Sequence, residues 1–576
     1  MTHLIGKMRR NLTIGIVGAG GDGVVVLGSL LQRLAASQGY FSQMPRYYGP
    51  QIRGGASAIK LSLDAECLSP PEDSADIIVC FNWGKYQELA NELPLGAGTL
   101  LLYDSEPPGE INLPEKSFLV GFSKKSQKVT GSTLNKNIVA LGLLIRILAL
   151  PEDQVNKTIE ESEELVLLRK NMPAIEAGKH LFYEFPFPEP RLSPPQDYFP
   201  KVILHGNTAI ARAAVRVGCQ AFLGYPITPA AEIMQEMQEE LSRRGGIFIQ
   251  AEDEIASTGM SIGASLVGVE SMTATSGPGL DLMTEMIGLA SAAEIPMVIV
   301  DVQRCGPSTG IPSKSEQSDL NHAIYGGHGD APRVVIAPCD VEGCYRLTIE
   351  SINIAQYFQT PVILLSDQWL GQTLVATNSE FLKKDYPRVK IKKVAKEDFE
   401  HYRRYRLTED FLSPMAVVGD EGPLYQTSGL THNEAGAPAS DFETHQKLHE
   451  KRWKKLLPLR QRDELVKILG EPEQRTGIIT WGSSAQIVLE IVQDVGLQQQ
   501  VKVCVPELLH PLPHSVESFL GALDKLLVIE MSYSGQFYRY LRSQVDLPEK
   551  TEVYCRAGGR PFTKKELTGP IMEMVR

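Results

Sequence analysis

The sequence predicts a multidomain α/β protein, and three observations support that prediction. The chain has 576 residues, which is too many for a single hydrophobic core. Apolar runs of strand length alternate with segments of helical spacing almost throughout, which indicates α/β units with mainly parallel sheets. Prolines crowd residues 186–200, which a regular helix or a central strand would not tolerate. We therefore predict several domains separated by at least one linker.

The first predicted domain spans residues 1–185. It opens with the strand "LTIGIVG" and the helix "GDGVVVLGSLLQRLAASQ". The strands "ADIIVCF" and "TLLLYD" follow, and the long apolar helix "STLNKNIVALGLLIRILAL" closes the domain. The proline-rich linker, residues 186–200, comes next.

A second α/β domain is predicted for residues 201–385. Its strands are "AFLGY", "IFIQA", "SMTATS" and "PMVIVDV", with helical patterns between them. Residues 386–475 are more charged and have a loop-like middle, so we expect a connecting region that packs against its neighbours. Residues 476–576 resume the alternation with "GIITWGS", "VKVCVPE" and "KLLVIEM", which predicts a last α/β domain.

Composition narrows the class of protein. A hydrophobic content of 43% and a charged content of 22% are typical of a soluble globular chain. The net charge of −12 argues against nucleic acid as the main partner. No uninterrupted apolar stretch is long enough to cross a membrane, and the basic N-terminus runs into a strand rather than a signal-peptide core. We expect a cytoplasmic protein.

The cysteines show no metal-binding spacing. None of the eight belongs to a CxxC pair, so we interpret them as scattered buried thiols of a reducing compartment. This chain alone therefore offers no ligand set for zinc or for an iron–sulfur cluster. The eight are Cys67, Cys80, Cys219, Cys305, Cys339, Cys344, Cys504 and Cys555.

A glycine-rich turn follows the first strand. Gly18, Gly20 and Gly23 form a G-x-G-x-x-G pattern where a strand meets a helix, a position that favours phosphate binding. A dinucleotide site would also need an acidic residue about 20 positions later, and "QGYFSQMPR" contains none. The pattern thus favours a tight turn used for packing or for another ligand. A pyridine-nucleotide-dependent oxidoreductase remains the alternative enzyme.

Two arginines lie in the segment "MPRYYGPQIRGGASAIKLS", which we predict to be a loop rich in glycine and aromatic residues. Arg46 and Arg53 are either part of a solvated loop or a pair of cations available to a carboxylate or phosphate. The sequence leaves both possibilities open.

Four segments of the second domain should converge at one sheet edge. Each follows a predicted parallel strand, and open α/β sheets bind ligands at the carboxyl ends of their strands. Together they offer two hydroxyls, on Thr228 and Thr309, a carboxylate cluster and the guanidinium of Arg304. The segments are "YPITP" (225–229), "EDEIASTGMSIGASLVG" (252–268), "TSGPG" (275–279) and "QRCGPSTG" (303–310).

The first of these segments is stiff. Pro226 and Pro229 restrict the backbone on both sides of Thr228. Pro229 is suited to begin the next helix with Thr228 as its cap. The turn either only connects a strand to a helix or also holds the Thr228 hydroxyl for a ligand.

The charged residues of the other segments each have a structural interpretation as well. Glu252, Asp253 and Glu254 could simply complement a helix dipole, and Arg304 could form an ordinary ion pair. Glycines inside the helix cost about 1 kcal/mol each relative to alanine, which suggests close approach of another surface or a flat ligand. These glycines are Gly259, Gly263 and Gly268.

Taken together, the motifs resemble the 2-oxoacid:ferredoxin oxidoreductases. "YPITP", "TATSGPG" and "QRCGPSTG" resemble the α subunit, as do "IITWGSSAQ" and "GRPFTKKEL" near the end of the chain. "GAGGDGV" and "YYGPQIRGGAS" resemble the γ subunit. The resemblance implies a fused γα subunit. Its fold would be a Rossmann-like γ-type domain, a pyrimidine-binding thiamine diphosphate domain and a transketolase C-terminal-like domain.

The resemblance also implies an activity, namely oxidative decarboxylation of a 2-oxoacid with thiamine diphosphate, coenzyme A and ferredoxin. Glu254 would face the aminopyrimidine ring and serve in acid–base catalysis relayed through the cofactor. Residues 225–227 (Tyr225, Pro226 and Ile227) would lie against the cofactor. Thr228 and Arg304 would bind the substrate carboxylate, with Thr309 as a further contact.

The preferred substrate suggested by this resemblance is 2-oxoglutarate, with Arg46 or Arg53 meeting its distal carboxylate. The chain has one GDG triplet, Gly21 to Gly23, without the downstream Asn of a diphosphate and metal site. The family places that Mg²⁺ site and the iron–sulfur cluster in a β subunit. We expect two α–β pairs that reduce ferredoxin, with this chain inactive alone. A non-catalytic structural subunit is the third hypothesis.

Overall fold

The computed structural model describes residues 8–49, 54–109, 111–187, 192–419 and 421–576. The chain divides into two compact units. The first comprises Met1–Leu204 with Thr373–Lys383, and the second comprises His205–Gln372 with Lys384–Arg576. The division into five segments made from the sequence stays a prediction.

The first unit is built on one nine-stranded sheet. The strand order is β7-β6-β5-β1-β4-β2-β15-β8, and β3 pairs with β4 outside this path. The strands are β1 (Asn11–Ala19), β2 (Phe41–Met44), β3 (Arg46–Tyr48), β4 (Ala56–Asp64), β5 (Ile77–Cys80), β6 (Leu100–Tyr103), β7 (Ser117–Leu119), β8 (Val202–Leu204) and, from later in the chain, β15 (Leu374–Thr377).

Helices cover this sheet. One of them, α4, is buried along nearly its whole length and supplies much of the core of the unit. The helices are α1 (Val24–Ser37), α2 (Trp83–Glu88), α3 (Phe122–Thr130), α4 (Lys136–Ile147), α5 (Glu152–Glu161), α6 (Val166–Lys170), α7 (Met172–Leu181) and α15 (Glu380–Lys383), with 3-10 turns at Thr133–Asn135 and Glu163–Leu165.

This sheet is mixed, whereas the sequence predicted mainly parallel strands. Strand β1 pairs in parallel with β5 but antiparallel with β4 over nine residues. The strand β15 belongs to the segment predicted as part of the second domain, yet it pairs antiparallel with both β2 and β8. Local periodicity does not reveal which strands will pair, so neither feature was predictable from it.

The glycine-rich turn after β1 is filled by the chain's own side chains. The Asp22 carboxylate accepts a hydrogen bond from the Ala19 backbone N–H at 2.7 Å and an ion pair from Lys136 at 2.8 Å. A side chain at Gly23 would meet the Asn137 amide at 2.4 Å, and Gly23 has a positive φ of 76°. This geometry agrees with a tight turn used for packing.

The second unit contains two sheets. Its strands are β9 (Ala221–Gly224), β10 (Ile247–Gln250), β11 (Ser271–Thr275), β12 (Met297–Gln303), β13 (Val334–Ile336), β14 (Pro361–Asp367), β16 (Val466–Leu469), β17 (Thr476–Thr480), β18 (Lys502–Pro506), β19 (Leu508–His510), β20 (Lys525–Glu530) and β21 (Lys550–Cys555).

The helices of the second unit connect these strands. They are α8 (Gly206–Val217), α9 (Ala231–Arg244), α10 (Glu254–Leu266), α11 (Gly277–Ala292), α12 (Leu320–Tyr325), α13 (Val341–Phe358), α14 (Gln368–Gln372), α16 (Phe442–Lys454), α17 (Ser484–Asp494), α18 (His514–Gly521), α19 (Gln536–Gln544) and α20 (Lys564–Val575). Further 3-10 turns span Lys396–His401, Leu457–Gln461 and Asp463–Leu465.

The seven-stranded sheet has the order β10-β9-β11-β12-β14-β13-β19. All its neighbouring strands run parallel except β13 and β19. The five-stranded sheet has the order β16-β18-β17-β20-β21, and only its β16–β18 pair is antiparallel. The central strands β12 and β14 are buried at every position, as expected for strands covered on both faces.

Side chains of residues 386–475 contact the rest of this unit. Lys451 and Lys455 both reach the buried Glu294 carboxylate, with N–O distances of 2.6 and 3.0 Å. Burial by itself would raise the pKa of Glu294, but the two lysines hold that pKa below its ordinary range. A buried carboxylate needs such partners, since an unpaired buried charge is strongly unfavourable. The charged segment is therefore an integral part of the unit.

Within the described residues, every helix is either too short or too polar to traverse a lipid bilayer.

Candidate active site

Four neighbouring strands end at one edge of the seven-stranded sheet. They are β10, β9, β11 and β12, which lie side by side and all run parallel. Their carboxyl ends therefore lead into the four segments singled out in the sequence. The convergence of these loops, which had been predicted, is confirmed by the strand order.

The turn after β9 is tied down from two sides. The Ala230 backbone N–H donates to the Ile227 carbonyl at 2.8 Å, and the Asn207 side chain donates to the Pro229 carbonyl at 2.8 Å. The prediction that Thr228 caps a helix beginning at Pro229 is wrong. Helix α9 begins at Ala231 and has no side-chain cap, because a separate hydrogen-bonded turn comes first. Thr228 is exposed, and its hydroxyl is not used as a cap.

The supporting amides were missed in the sequence. Asn207 is fully buried in α8 and also donates to Glu232 at 3.1 Å. Gln372 donates to the other oxygen of that carboxylate at 2.6 Å. A buried asparagine in an otherwise apolar helix pattern is the one available signal, and it does not say which turn the amide will hold.

Arg304 links two of the strand ends. It follows β12 directly, is only 7% exposed, and donates from Nη1 to the Thr228 backbone carbonyl at 2.7 Å. Its Nε–H is buried and has no hydrogen-bond partner in the described chain. Burial lowers the pKa of this guanidinium from its ordinary value, but an arginine remains charged.

The interpretation of Arg304 as half of an ordinary ion pair is wrong. No carboxylate in the part of the chain that the structure describes forms a salt bridge with it. A buried guanidinium with an unused donor is suited to receive an anion, because arginine presents its donors in a planar fork that matches a carboxylate.

Glu254 is the first residue of α10 and is only 5% exposed. Asp253 is the cap of this helix, since its carboxylate accepts from the Ala256 backbone N–H at 2.7 Å. The structural interpretation is therefore confirmed for Asp253, while Glu252 is exposed to solvent. The Glu254 side chain instead turns inward toward the neighbouring segment.

The "TSGPG" segment makes room for that carboxyl group. A Cβ atom added to Gly279 would lie 2.6 Å from Oε1 of Glu254 and 2.1 Å from Oγ1 of Thr275. Both distances are shorter than contact between non-bonded atoms allows, so only glycine fits. The first turn of α11 thus forms a cradle that holds the Glu254 carboxyl group in place.

The other predicted site residues have more open surroundings. Tyr225 is 38% exposed and follows β9 directly, while Pro226 is exposed and Ile227 is half-buried. Thr309 lies in an exposed turn, and no contact found in the described residues joins it to Thr228, Arg304 or Glu254. Its predicted role as a substrate contact stays a prediction.

Of the two arginines predicted in the first domain, Arg46 lies among the described residues. Arg46 was expected in a loop, but it begins strand β3 and pairs with Ile59 of β4. The tyrosines that follow it favour an extended strand, which explains the difference. Its Nε–H is buried without a partner among the described residues. Arg53 lies outside the described residues.

The helix glycines have open space around them. No atom of the described chain lies within 4 Å of a Cβ built on Gly259 or Gly263. Gly268 ends the helix with a positive φ of 74° and packs against Val417. The close approach expected at Gly259 and Gly263 is thus not made by the described part of this chain.

Comparison with known proteins defines the class. Residues 212–451 match the sequence model of the family described as pyruvate flavodoxin/ferredoxin oxidoreductase, thiamine diphosphate-binding. Residues 13–181 match that described as pyruvate ferredoxin/flavodoxin oxidoreductase. The second unit therefore carries a thiamine diphosphate-binding domain of an oxidoreductase.

Individual relatives narrow the class to a family. The 2-oxoglutarate synthase subunit KorA of Methanothermobacter thermautotrophicus is 34% identical over 387 residues, which cover 66% of this chain and all of the relative. The α subunit of a 2-oxoacid:ferredoxin oxidoreductase from Sulfolobus sp is 28% identical and covers 99% of this chain and 97% of its own.

A solved structure agrees. The 2-oxoglutarate:ferredoxin oxidoreductase from Magnetococcus marinus, with 2-oxoglutarate, coenzyme A and succinyl-CoA bound, is 34% identical with a TM-score of 0.91. The alignment covers 99% of this chain and 100% of that chain. The present chain belongs to the 2-oxoacid:ferredoxin oxidoreductase family.

The site residues fit thiamine diphosphate as a ligand. The inward-facing Glu254 carboxyl group lies against Gly279, where an added Cβ atom would clash with it. Residues 225–227 follow β9, the strand next to the one that precedes Glu254. A buried carboxyl can hydrogen-bond a ring nitrogen, and the turn offers an apolar surface to a flat ring.

The cradle generates a testable prediction. Replacing Gly279 by alanine should lower the kcat of the assembled enzyme by about a hundredfold, because it displaces the Glu254 carboxyl group. The matched control is Gly288→Ala in the same helix, where no atom lies within 4 Å of the new Cβ. The control should keep its turnover and gain about 1 kcal/mol of helix stability. Equal turnover in the two variants would show that the cradle has no catalytic importance.

Proposed function

We propose that this chain is a fused γα subunit of a 2-oxoacid:ferredoxin oxidoreductase that acts on 2-oxoglutarate and coenzyme A. The products are succinyl-CoA, CO₂ and reduced ferredoxin, and the reaction is reversible. The observation that carries the proposal is the buried guanidinium of Arg304, which bonds to the Thr228 backbone and whose Nε–H has no partner among the described residues.

Arg304 and Thr228 bind the carboxylate next to the keto group. One donor of the guanidinium holds the turn after β9, and the remaining donors face the substrate. The Thr228 hydroxyl adds a further donor from the exposed surface of the same turn. Thr309 lies six residues after Gln303, the last residue of β12, and is a further contact to this carboxylate. Two groups fixed to each other bind a planar anion with little loss of side-chain entropy.

Glu254 provides the acid–base function. It would hold the aminopyrimidine ring of thiamine diphosphate through a hydrogen bond, and Tyr225, Pro226 and Ile227 would line that ring. When bound, the cofactor supplies the electron sink for decarboxylation. The protein's own contribution is to keep the Glu254 carboxyl group fixed, shielded from water and within reach of one ring nitrogen.

Two relatives and an arginine of the first unit support 2-oxoglutarate as the substrate. The KorA relative is a 2-oxoglutarate synthase subunit, and the related solved structure contains 2-oxoglutarate. A five-carbon diacid has a second carboxylate, and Arg46 or Arg53 is proposed to bind it. Arg46 has a buried Nε–H without a partner in the described chain, which suits that role.

A partner completes the enzyme. The relatives are named as subunits, which supports an assembly of several chains. The eight cysteines form no disulfide bond, and among the described residues none joins a cluster of three potential metal ligands. We propose that a β subunit holds the Mg²⁺ and diphosphate site and the iron–sulfur cluster, passes electrons to ferredoxin, and forms two α–β pairs with this chain.

Two other functions were considered. A pyridine-nucleotide enzyme would bind its cofactor at the glycine-rich turn, but Asp22 occupies that turn and carries the wrong charge for a phosphate. An NADH fluorescence titration without binding would dismiss this function. A structural subunit has no need for a buried, anion-seeking arginine beside a cradled glutamate, so the catalytic function is favoured.

The activity provides the first test. The chain co-expressed with its β partner should reduce a viologen dye only when both a 2-oxoacid and coenzyme A are present, with 2-oxoglutarate preferred. Glu254→Ala should lower the kcat at least about a hundredfold, since it removes the acid–base group. Glu252→Ala, an exposed acid two residues away, is the matched control and should keep its turnover. Unchanged turnover in Glu254→Ala would refute the mechanism.

The distal carboxylate provides the second test. Arg46→Ala or Arg53→Ala should raise the KM for 2-oxoglutarate by about tenfold, the effect of losing a hydrogen bond to a charged group. The KM for 2-oxobutyrate, which has no second carboxylate, should not change. Arg169→Ala serves as a control arginine in the same unit. Equal effects on both substrates would exclude a role in binding the distal carboxylate.

A further inference from the structure

The segment that follows β12 has a buried stem and an exposed tip. Residues 304–319 join β12 to α12, with Arg304 at the first position and Thr309 in the tip. Residues 306–313 are exposed along their whole length. The residues that return toward α12 are buried, and they are Ser315, Glu316 and Gln317. We call residues 304–319 the Arg304 loop.

The Glu316 carboxylate closes the stem of this loop. Its Oε2 accepts a hydrogen bond from the backbone N–H of Gly306 at 3.1 Å, two residues after Arg304. Beside it, the Cys305 backbone N–H donates to the Lys314 carbonyl at 3.0 Å, so the two sides of the stem are joined. The backbone that leaves Arg304 is therefore held by Glu316 directly.

The same carboxylate reaches the five-stranded sheet. Oε1 of Glu316 accepts from the backbone N–H of Gly558 at 3.1 Å, in the turn that follows β21. The next backbone N–H, that of Gly559, donates to the Ser315 carbonyl at 3.0 Å. The approach is close, because a Cβ added to Gly558 would lie 2.2 Å from the Ser315 carbonyl oxygen. Glu316 thus links the backbone beside Arg304 to the carboxyl end of β21.

Gln317 fixes the loop at two further strand ends of that sheet. Its side chain is completely buried and donates to the Trp481 carbonyl after β17 at 2.8 Å. Its Oε1 accepts from the Ser484 hydroxyl at 2.7 Å and from the Met531 backbone N–H after β20 at 3.1 Å. The stem is therefore bonded to the carboxyl ends of β17, β20 and β21, which are neighbours in the five-stranded sheet.

These contacts hold Arg304 from the side opposite to its substrate-facing donors. The guanidinium is bonded to the Thr228 carbonyl, and the backbone two residues later is bonded to Glu316. A hydrogen bond from a backbone N–H to a carboxylate is stronger than one between neutral groups. A displacement of about 1 Å in a binding group can lower the rate by about a hundredfold, so the stem has a direct bearing on how well Arg304 meets an anion.

We propose that Glu316 is a positioning residue for Arg304, through which the five-stranded sheet sets the place of the guanidinium at the substrate carboxylate. The proposal rests on the proposed role of Arg304 in substrate binding. Glu316 acts on the substrate only through the backbone next to Arg304. The five-stranded sheet therefore contributes to the affinity for the 2-oxoacid from a distance.

Two substitutions test the positioning in the assembled enzyme. In Glu316→Gln, one acceptor remains and an amide donor faces the second N–H, so one of the two hydrogen bonds is lost. The KM for 2-oxoglutarate should rise by about tenfold, the effect of losing a hydrogen bond to a charged group, while the KM for coenzyme A should not change. Gly558→Ala should act in the same direction, because its Cβ displaces Ser315.

Two control variants exclude a general effect on stability. Gly521→Ala introduces a Cβ with no atom within 4 Å at the end of α18 and should keep both KM values. Gln486→Ala removes a hydrogen bond of 3.0 Å from α17 to the Cys339 carbonyl, which lies after β13 of the other sheet. It should lower the melting temperature, as Glu316→Gln does, without raising the KM for 2-oxoglutarate. An equal rise in KM for Gln486→Ala would overturn the positioning proposal.

Arg304→Lys separates this proposal from the proposed function. If Arg304 binds the substrate, Arg304→Lys alone raises the KM, and adding Glu316→Gln raises it little further, because the group that Glu316 positions is already lost. An unchanged KM in Arg304→Lys would contradict the proposed function. A raised KM in Arg304→Lys with wild-type KM values in Glu316→Gln and Gly558→Ala overturns the positioning proposal alone. Effects that multiply in the double variant overturn it as well, since Glu316 would then act through another group.

Discussion

The site depends on one buried guanidinium, that of Arg304, which forms no ion pair with a carboxylate of the described chain. Arg304 has a full charge in a position that is 7% exposed, and its one hydrogen bond within the described chain goes to the Thr228 carbonyl. A charge so placed needs further acceptors, because burial without them is unfavourable. The turn after β9 must therefore keep its carbonyl turned toward Arg304, and Asn207 and the Ala230 N–H hold the turn in that shape.

The same constraint connects binding to catalysis. Strand β12, which Arg304 follows directly, pairs in parallel with β11, the strand that leads into the cradle around Glu254. An anion bound by Arg304 is thus brought to the sheet edge where the Glu254 carboxyl group is fixed. Under the proposed function, the stiff turn, Gly279 and the buried Arg304 would together fix groups from different strands in one geometry before the substrate binds.

The strands and the residues at their ends were predictable from the sequence, whereas the hydrogen bonds that join them were not. Strand–helix alternation located β9 to β12 and placed Thr228, the acidic cluster and Arg304 at their ends, because each lies within a few residues of a periodic element. Only the family resemblance distinguished Glu254 from the acids beside it. The hydrogen bonds around the site were not predictable: Asn207 reaches Pro229 across 22 positions and Arg304 reaches Thr228 across 76. The insertion of β15 into the first sheet was missed for the same reason, since pairing between distant segments leaves no local pattern.

A double-mutant cycle tests the central claim, that Arg304 and Thr228 act on the same substrate carboxylate. The kcat/KM for 2-oxoglutarate would be measured for Thr228→Val, Arg304→Lys and the double variant in the assembled enzyme. Valine removes the hydroxyl but keeps the backbone carbonyl that anchors Arg304. The account predicts non-additive losses, with a coupling of about 1 kcal/mol or more. Losses that add to within about 0.5 kcal/mol would contradict it.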